Sequence, residues 1–298
     1  MNKFDICLNY VAKILPMRTR VRVVKGINTF RYSKRLKARK DLFIRHKNNA
    51  LDLFKPRISM KDGYALDLNK GLPHLSEVMR DSRKILNDGK EVKSFANKSF
   101  LKNHLNQGHL TNYPSFINMA TSDDMLAIVA DYLGFIPVLS EIALWYSEPG
   151  QYGVGKSSQL YHLDNADTSQ VKIFVHLDDV VESGGPFTFL GASDTELVVN
   201  RTKYGKKRNV ERLSDEVVYD IVPSGHKIEC SFDAGSVVYV DTSKCLHYGS
   251  RCLDKGRNII MLQYLSPCRA DFRPNNLSEL MENSDSELRQ FALDPTMS

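Results

Sequence analysis

A histidine and a carboxylate two residues apart, in Tyr161-His162-Leu163-Asp164, are the side chains best placed to do chemistry in this 298-residue chain. In an extended strand, residues i and i+2 point to the same side. His162 and Asp164 would therefore present an imidazole and a carboxylate together. A third donor must come from elsewhere. His247 is the candidate, because it closely follows the apolar run Val237-Val-Tyr-Val240. Two histidines and one carboxylate on one face of a metal suit non-haem Fe(II). The opposite face then stays open for a bidentate co-substrate and dioxygen.

Ten residues beyond His247, Arg257 opens the run Asn258-Ile-Ile-Met-Leu-Gln-Tyr264. An arginine there could form a bidentate pair with the distal carboxylate of 2-oxoglutarate. Arg251 competes for the role, although it falls in what reads as a connecting turn. Gln159, Asn165 and Thr168 are polar residues near the triad that could orient its ligands. Gln159 and Thr168 are taken with Arg257 as candidate cofactor-binding residues.

Two rival patterns need weighing. His176-Leu177-Asp178 repeats the His-x-Asp spacing, but it ends the apolar run Val171-Lys-Ile-Phe-Val175. It reads better as a core-strand histidine followed by solvated turn carboxylates. Gly150-Gln-Tyr-Gly-Val-Gly-Lys-Ser157 is a formal match to the phosphate-binding G-x-x-x-x-G-K-[ST] loop. That loop works because a helix starts at its end and aims N–H groups at phosphate. Ser158 to Asp167 shows no helical stripe, and a parallel crossover to the next strand needs about a dozen residues or more, usually with a helix. The segment reads as a glycine-rich turn before the metal strand.

These residues need a scaffold. Hydrophobic residues make up 42% and charged residues 26% of the chain, the balance of a soluble globular protein rather than a disordered or fibrous one. The five cysteines, Cys7, Cys230, Cys245, Cys252 and Cys268, contain no Cys-x-x-Cys and read as reduced thiols of a cytosolic protein. No apolar run approaches the roughly 18–20 residues of a membrane span. The N-terminus lacks the pattern of a signal peptide.

The net charge of +6 is unevenly spread: Lys13 to Lys47 holds thirteen Lys/Arg and one acid, so the rest of the chain is net acidic. Before this block, Phe4, Leu8, Val11 and Leu15 suggest a short amphipathic helix closed by Pro16. Arg18 to Val24 alternates basic and non-basic residues, as a strand or extended arm would. An amphipathic helix beside a basic segment could dock on the domain, lie on an anionic membrane surface, or bind nucleic acid non-specifically.

Helices are expected at 74–89 and 122–133. The second has Ser122 as N-cap, Asp123 and Asp124 in its first turn, and Gly134 at its end. After Pro137, short β-like runs follow at 139–147, 158–162, 171–178, 186–190, 226–232, 236–241 and 258–265, punctuated by turn signals. Such spacing predicts a sandwich, jelly roll or barrel. The polar stretch 193–217 reads as a long loop over one mouth, and 275–292 as a closing C-terminal helix. The domain plan is a basic N-terminal amphipathic or extended segment, 1–50, and a single domain, 51–298. Within that domain, helical support covers about 70–135 and the β core about 138–268.

Residues of about 140–270 resemble the phytanoyl-CoA dioxygenase family of Fe(II)/2-oxoglutarate oxygenases. The resemblance rests on Tyr161-His-Leu-Asp164, on His176-Leu-Asp-Asp-Val-Val-Glu-Ser-Gly-Gly-Pro-Phe-Thr-Phe-Leu190, and on His247-Tyr-Gly249 with Arg257. It implies a mainly β fold with flanking α-helices around a double-stranded β-helix (jelly roll, cupin-like) core. It further implies iron on His162, Asp164 and His247, and 2-oxoglutarate held at Arg257. The reaction implied is hydroxylation of a small or lipid-like molecule, with 2-oxoglutarate and O2 converted to succinate and CO2. Asp164 favours this over halogenation, which needs the carboxylate position vacant. Leu190-Gly-Ala-Ser-Asp194 departs from the family's usual Pro-Gly-Ser-His, which bears on the substrate pocket rather than the iron.

The expectation is therefore a cytoplasmic dioxygenase acting on a small-molecule or lipid-like, anionic substrate. The basic N-terminus offers a peripheral membrane contact, and nucleic acid is disfavoured for want of a base-reading signature. A non-catalytic β-barrel of the same fold and a nucleotide hydrolase are the alternatives.

Overall fold

The computed structural model describes residues 14–50, 56–88, 93–95, 98–150, 157–206, 211–270, 277–282 and 285–298. Two antiparallel sheets carry the fold. The larger sheet contains β1 (Tyr64–Asp67), β2 (Lys93–Phe95), β3 (Lys98–Asn103), β4 (Val138–Ser147), β5 (Val171–His176), β8 (Val237–Val240) and β10 (Arg257–Leu265), in the order β1-β8-β5-β10-β4-β3-β2. The smaller sheet has the order β7-β6-β9, from β7 (Ile228–Glu229), β6 (Thr188–Phe189) and β9 (His247–Tyr248). Single bridges Tyr161↔Leu213 and His162↔His247 extend it. This is the jelly-roll arrangement of a mainly β protein with flanking helices.

Alternation along the strands divides the chain's interior in two. Val171, Ile173, Val175, Ile260, Leu262 and Tyr264 face the helical layer and share its core. Phe174, Val238, Val240, Ile259 and Met261 face the smaller sheet and pack with Phe187 and Phe189. By the two-residue period, Lys172 and His176 on β5, and Arg257 and Gln263 on β10, point the same way as that second set.

The helical layer includes α3 (Leu75–Asn87), α4 (Gln107–Asn112), α5 (Ser115–Ala120) and α6 (Asp123–Leu133). The expected helices at 74–89 and 122–133 form. In α6, Ser122 Oγ accepts from the Met125 amide and Gly134 closes the helix with φ 78°, a left-handed cap that glycine adopts freely.

Several expectations differ from the structure. Arg18 to Val24 is neither strand nor extended arm: it lies in α1 (Met17–Arg31), followed by α2 (Ser33–Ala50). The buried positions Met17, Val21, Val24 and Asn28 recur at helical spacing, so docking of that face overrides the basic alternation. The helix expected over 4–15 lies almost wholly outside the described residues, as does Cys7. The stretch 193–217 is not one long loop. It contains α7 (Ala192–Thr202) and α8 (Asp215–Tyr219), held by burial of Thr195, Val198, Val199 and Val218. The expected C-terminal helix is split into a 3-10 turn, Leu277–Leu280, and α9 (Glu287–Leu293), which starts where Ser286 Oγ accepts from the Arg289 amide. The run 158–162 is a 3-10 turn at Ser157–Gln159 and then bridges, not a regular strand. Strands β1 to β3 all precede Pro137, outside the region where strands are expected.

Candidate metal centre

His162 and His247 face each other across one antiparallel bridge, each backbone N–H donating to the other's carbonyl at 3.0 Å. Paired residues of adjacent strands put their side chains on the same face, and the two rings lie 4.3 Å apart. Two residues on, the Asp164 amide donates to Thr242 O at 2.9 Å, fixing the carboxylate beside them. One donor atom from each of His162, Asp164 and His247 lies within 4.8 Å of the others.

Both imidazoles are anchored in the same manner. Nδ1 of His162 bonds Leu160 O, and Nδ1 of His247 bonds Cys245 O, each at 2.9 Å. A carbonyl can only accept, so Nδ1 carries the proton and Nε2 keeps a free lone pair. Burial pushes both histidines down, His247 to about 4 and His162 well below its ordinary value, helped there by His247. Both are therefore neutral, as metal ligation requires. Burial opposes charge on Asp164, but the Lys172 ammonium beside it, which also bonds it, outweighs burial and holds the carboxyl well below the usual range. Two neutral, buried Nε2 atoms and one half-buried carboxylate, all convergent, match the donors of a 2-His-1-carboxylate iron site.

Two polar side chains at this site escape a reading of the sequence. Lys172 Nζ lies 2.9 Å from Asp164 Oδ2 and sits over the Trp145 ring. Gln170 Nε2 donates to Thr242 Oγ1 at 2.7 Å and to Asp164 Oδ2 at 3.2 Å. The available signal for Lys172 is a lone lysine in phase with Phe174 and His176 in an otherwise apolar strand.

Arg257 is 3% exposed, and its Nε and Nη1 have no hydrogen-bond partner. Arg251, its competitor, is committed elsewhere. It forms a two-pronged pair with Asp215 at 2.7 Å and 2.7 Å, and its guanidinium stacks 3.3 Å from the Tyr248 ring centroid. Gln159 is buried, but its Nε2 donates to Ser250 O and its carbonyl accepts from Arg251 Nε, so it braces the 250–251 loop. Thr168 is exposed, and its backbone carbonyl accepts from Ser243 Oγ. Asn165 and Thr168 both line a recess of about 230 Å³ that also includes Asp164, Arg18, Arg22 and Lys244.

The rival patterns take other places. His176 is a buried core-strand residue. The acids after it are not simply solvated: Asp178 accepts from Asn258 N and Nδ2 at 2.9 Å and 2.8 Å, and Asp179 from Ala234 N. Of the phosphate-loop match, 151–156 lie outside the described residues. From Ser157 the chain forms a single 3-10 turn and two bridges, with no helix to receive a phosphate. Cys230, Cys245, Cys252 and Cys268 are free and buried.

No protein-family model and no curated protein matches the chain. Among solved structures, it is similar to the epimerase SnoN in complex with Fe3+, alpha ketoglutarate and nogalamycin RO, at 14% identity over 76% of this chain and 88% of that one, with a TM-score of 0.51. HygX from Streptomyces hygroscopicus, with nickel and 2-oxoglutarate bound, matches at 14% identity over 68% and 83%, TM-score 0.46. EctD from S. alaskensis matches at 13% identity over 70% and 74%, TM-score 0.47. At these identities the likeness to SnoN shows a shared fold.

Proposed function

We propose that the protein is an Fe(II)/2-oxoglutarate-dependent oxygenase that hydroxylates a small, anionic molecule, in the manner of the phytanoyl-CoA dioxygenase family. The observation that carries this is the convergence of the buried His162 and His247 with the half-buried Asp164, in the same interior as an arginine whose Nε and Nη1 are unpaired. Cys252 is the only side chain that bonds the Arg257 guanidinium among the described residues, and a buried charge with two nitrogens unmatched costs several kcal/mol, so Arg257 is best explained by an anion that completes it. A dicarboxylic 2-oxo acid, with one end at the metal and the other at an arginine, fits both halves. When bound, the iron would bring O2, the oxidant, together with 2-oxoglutarate, which would give up two electrons and take one oxygen atom on cleavage to succinate and CO2, leaving the second oxygen atom for the substrate.

The chain's own residues bind, orient and exclude water. Leu160 O and Cys245 O fix the tautomer of each imidazole. Gln170 and Lys172 hold the Asp164 carboxylate. Phe187, 5.5 Å from the His247 ring, and Phe174 keep the interior apolar. On the recess beside Asp164, Lys244 is matched by Asp241 and Asp167 by Lys25, while Arg18, with Glu196 nearby, and Arg22 lie one helical turn apart. This charge pattern supports a substrate bearing a phosphate or carboxylate.

The test is anaerobic titration of the metal-free protein with Fe(II) and 2-oxoglutarate, followed by succinate measurement under air. The wild type is expected to bind both and to form iron-dependent succinate. His162→Ala is expected to lose metal binding and turnover together. Wild-type protein that takes up neither Fe(II) nor 2-oxoglutarate would sink the reading in favour of a non-catalytic β-barrel.

A further inference from the structure

A second polar cluster lies in the barrel interior, and the metal donors do not use it. His176 on β5 pairs with Ile259 on β10, and Arg257 is two residues back along β10 on the same face. Diagonal neighbours of this kind are within reach of long side chains. His176 is fully buried: its Nδ1 faces Phe232 O at 3.4 Å, its ring stacks on Phe232, and its Nε2 has no partner. Arg257 brings two further unpartnered nitrogens. Buried polar atoms are nearly always satisfied, so orphans on two neighbouring side chains point to one missing ligand with several acceptor sites.

We propose that His176 is a second holder of the co-substrate's distal carboxylate beside Arg257, making the site selective for a dicarboxylic 2-oxo acid. This rests on the oxygenase reading and adds a positioning residue to it. A carboxylate has about four lone-pair sites, and one arginine fills two of them. A histidine alongside supplies a third contact that a methyl-ended 2-oxo acid cannot use.

The tautomer dictates a further consequence. Nδ1–H is turned to Phe232 O, so Nε2 meets a carboxylate as a donor only after gaining a proton. Burial and the nearby Arg257 charge hold His176 at about 4, hence neutral before the ligand arrives. Among the described residues, no carboxylate pairs with His176 or Arg257. Asp178 is held by Asn258, and burial pushes the Cys230 and Cys252 thiols up, so they stay uncharged. Entry of the carboxylate therefore draws one proton from solution onto Nε2.

The experiment is calorimetry on the full chain loaded with Ni(II), which forms the 2-oxo acid chelate without turnover. 2-Oxoglutarate is compared with 2-oxobutyrate, which has the same chelating head and no distal carboxylate, in buffers of different protonation enthalpy. For wild type we expect preference for 2-oxoglutarate with net proton uptake, and no uptake with 2-oxobutyrate. His176→Leu should weaken 2-oxoglutarate about tenfold or more while leaving 2-oxobutyrate within about twofold. His176→Gln should recover part of the affinity without the proton uptake. Equal weakening of both acids, or a wild type that takes up no proton, would overturn the inference. If His176→Leu does not fold, the Gln variant and the wild-type proton count still decide it. Chelation of 2-oxobutyrate without any selectivity condemns the role of His176 alone, whereas failure to bind either acid removes the oxygenase reading beneath it.

Discussion

His176 and His247 are both kept neutral by burial, and that has a cost in acid. Each has a folded-state value of about 4 against an ordinary 6.5. The unfolded chain therefore binds more protons than the native one between those values. Stability is complete above about pH 6.5 and falls progressively as pH drops to about 4, by roughly 3 kcal/mol per group. We expect the metal-free protein to lose urea resistance across that window. His176→Gln should flatten part of the loss, whereas a metal on His247, which keeps that imidazole unprotonated in the folded state, should raise stability while leaving its share of the pH dependence in place. A urea midpoint that is flat from pH 7 to pH 4.5 would contradict this. At this scale the His-x-Asp spacing and a later histidine flag the donors in the sequence, but His162 sits on an isolated bridge rather than a regular strand, and it is that bridge to His247 that brings the imidazoles together. Lys172 and Gln170 are not legible in the sequence, since a polar side chain inside a barrel becomes visible only once the strand's facing is known.

Among the elements, the 250–251 loop shows how a turn sets a side chain's commitment. Gly185 has φ 63°, and a Cβ there would lie 2.5 Å from Arg251 C and Cys252 N. Backbone cannot yield as a flexible side chain does, so Gly185→Ala should displace the loop that pairs Arg251 with Asp215 and braces Gln159. We expect a drop of several degrees in Tm and weakened 2-oxo acid binding, read by thermal unfolding and calorimetry. An unchanged Tm would show that the loop tolerates the shift. Ser122→Ala in α6 is a milder case, costing about 1 kcal/mol by urea unfolding through loss of its N-cap.

The strongly amphipathic α3 and the capped α6 are readable because their signals are local. α1 is easily misread because its Arg-Val alternation mimics a strand, while its true stripe becomes decisive only against a partner surface. β6, β7 and β9 have two residues each, too few for any period to declare itself.

Across the whole molecule, the basic N-terminal block is bound into the rest rather than trailing from it. Arg39 on α2 is fully buried, with Nη1 donating to Ile136 O and Pro137 O and Nη2 to Asp294 O. Lys25 pairs with Asp167 at 2.6 Å and bonds Ser266, and Asn28 Nδ2 donates to Arg269 O. Burial lowers Arg39 to about 9, still charged near neutrality. Arg39→Met should cost roughly 3 kcal/mol by leaving buried carbonyls unmatched, measured by chemical denaturation. A negligible change would show that α2 is an ornament on an independent 51–298 domain. No helix among the described residues is long and apolar enough to cross a membrane. The apolar stripe of α1 is already covered by protein, so any contact with an anionic surface would use its basic side. Charge counting alone could not separate a docked helix from a surface-binding one, because both leave the same residues exposed.

The reciprocal backbone bridge between His162 and His247 has an evolutionary corollary. Both imidazoles are positioned by strand register, so the distance between them owes nothing to how much chain separates them. Everything that loops out between the two, including the segment with α7 and α8, can lengthen, shorten or be exchanged among descendants while the metal donors stay in place. Selection can thus rebuild the substrate side of such a protein by insertion and deletion, at little risk to its reactive centre.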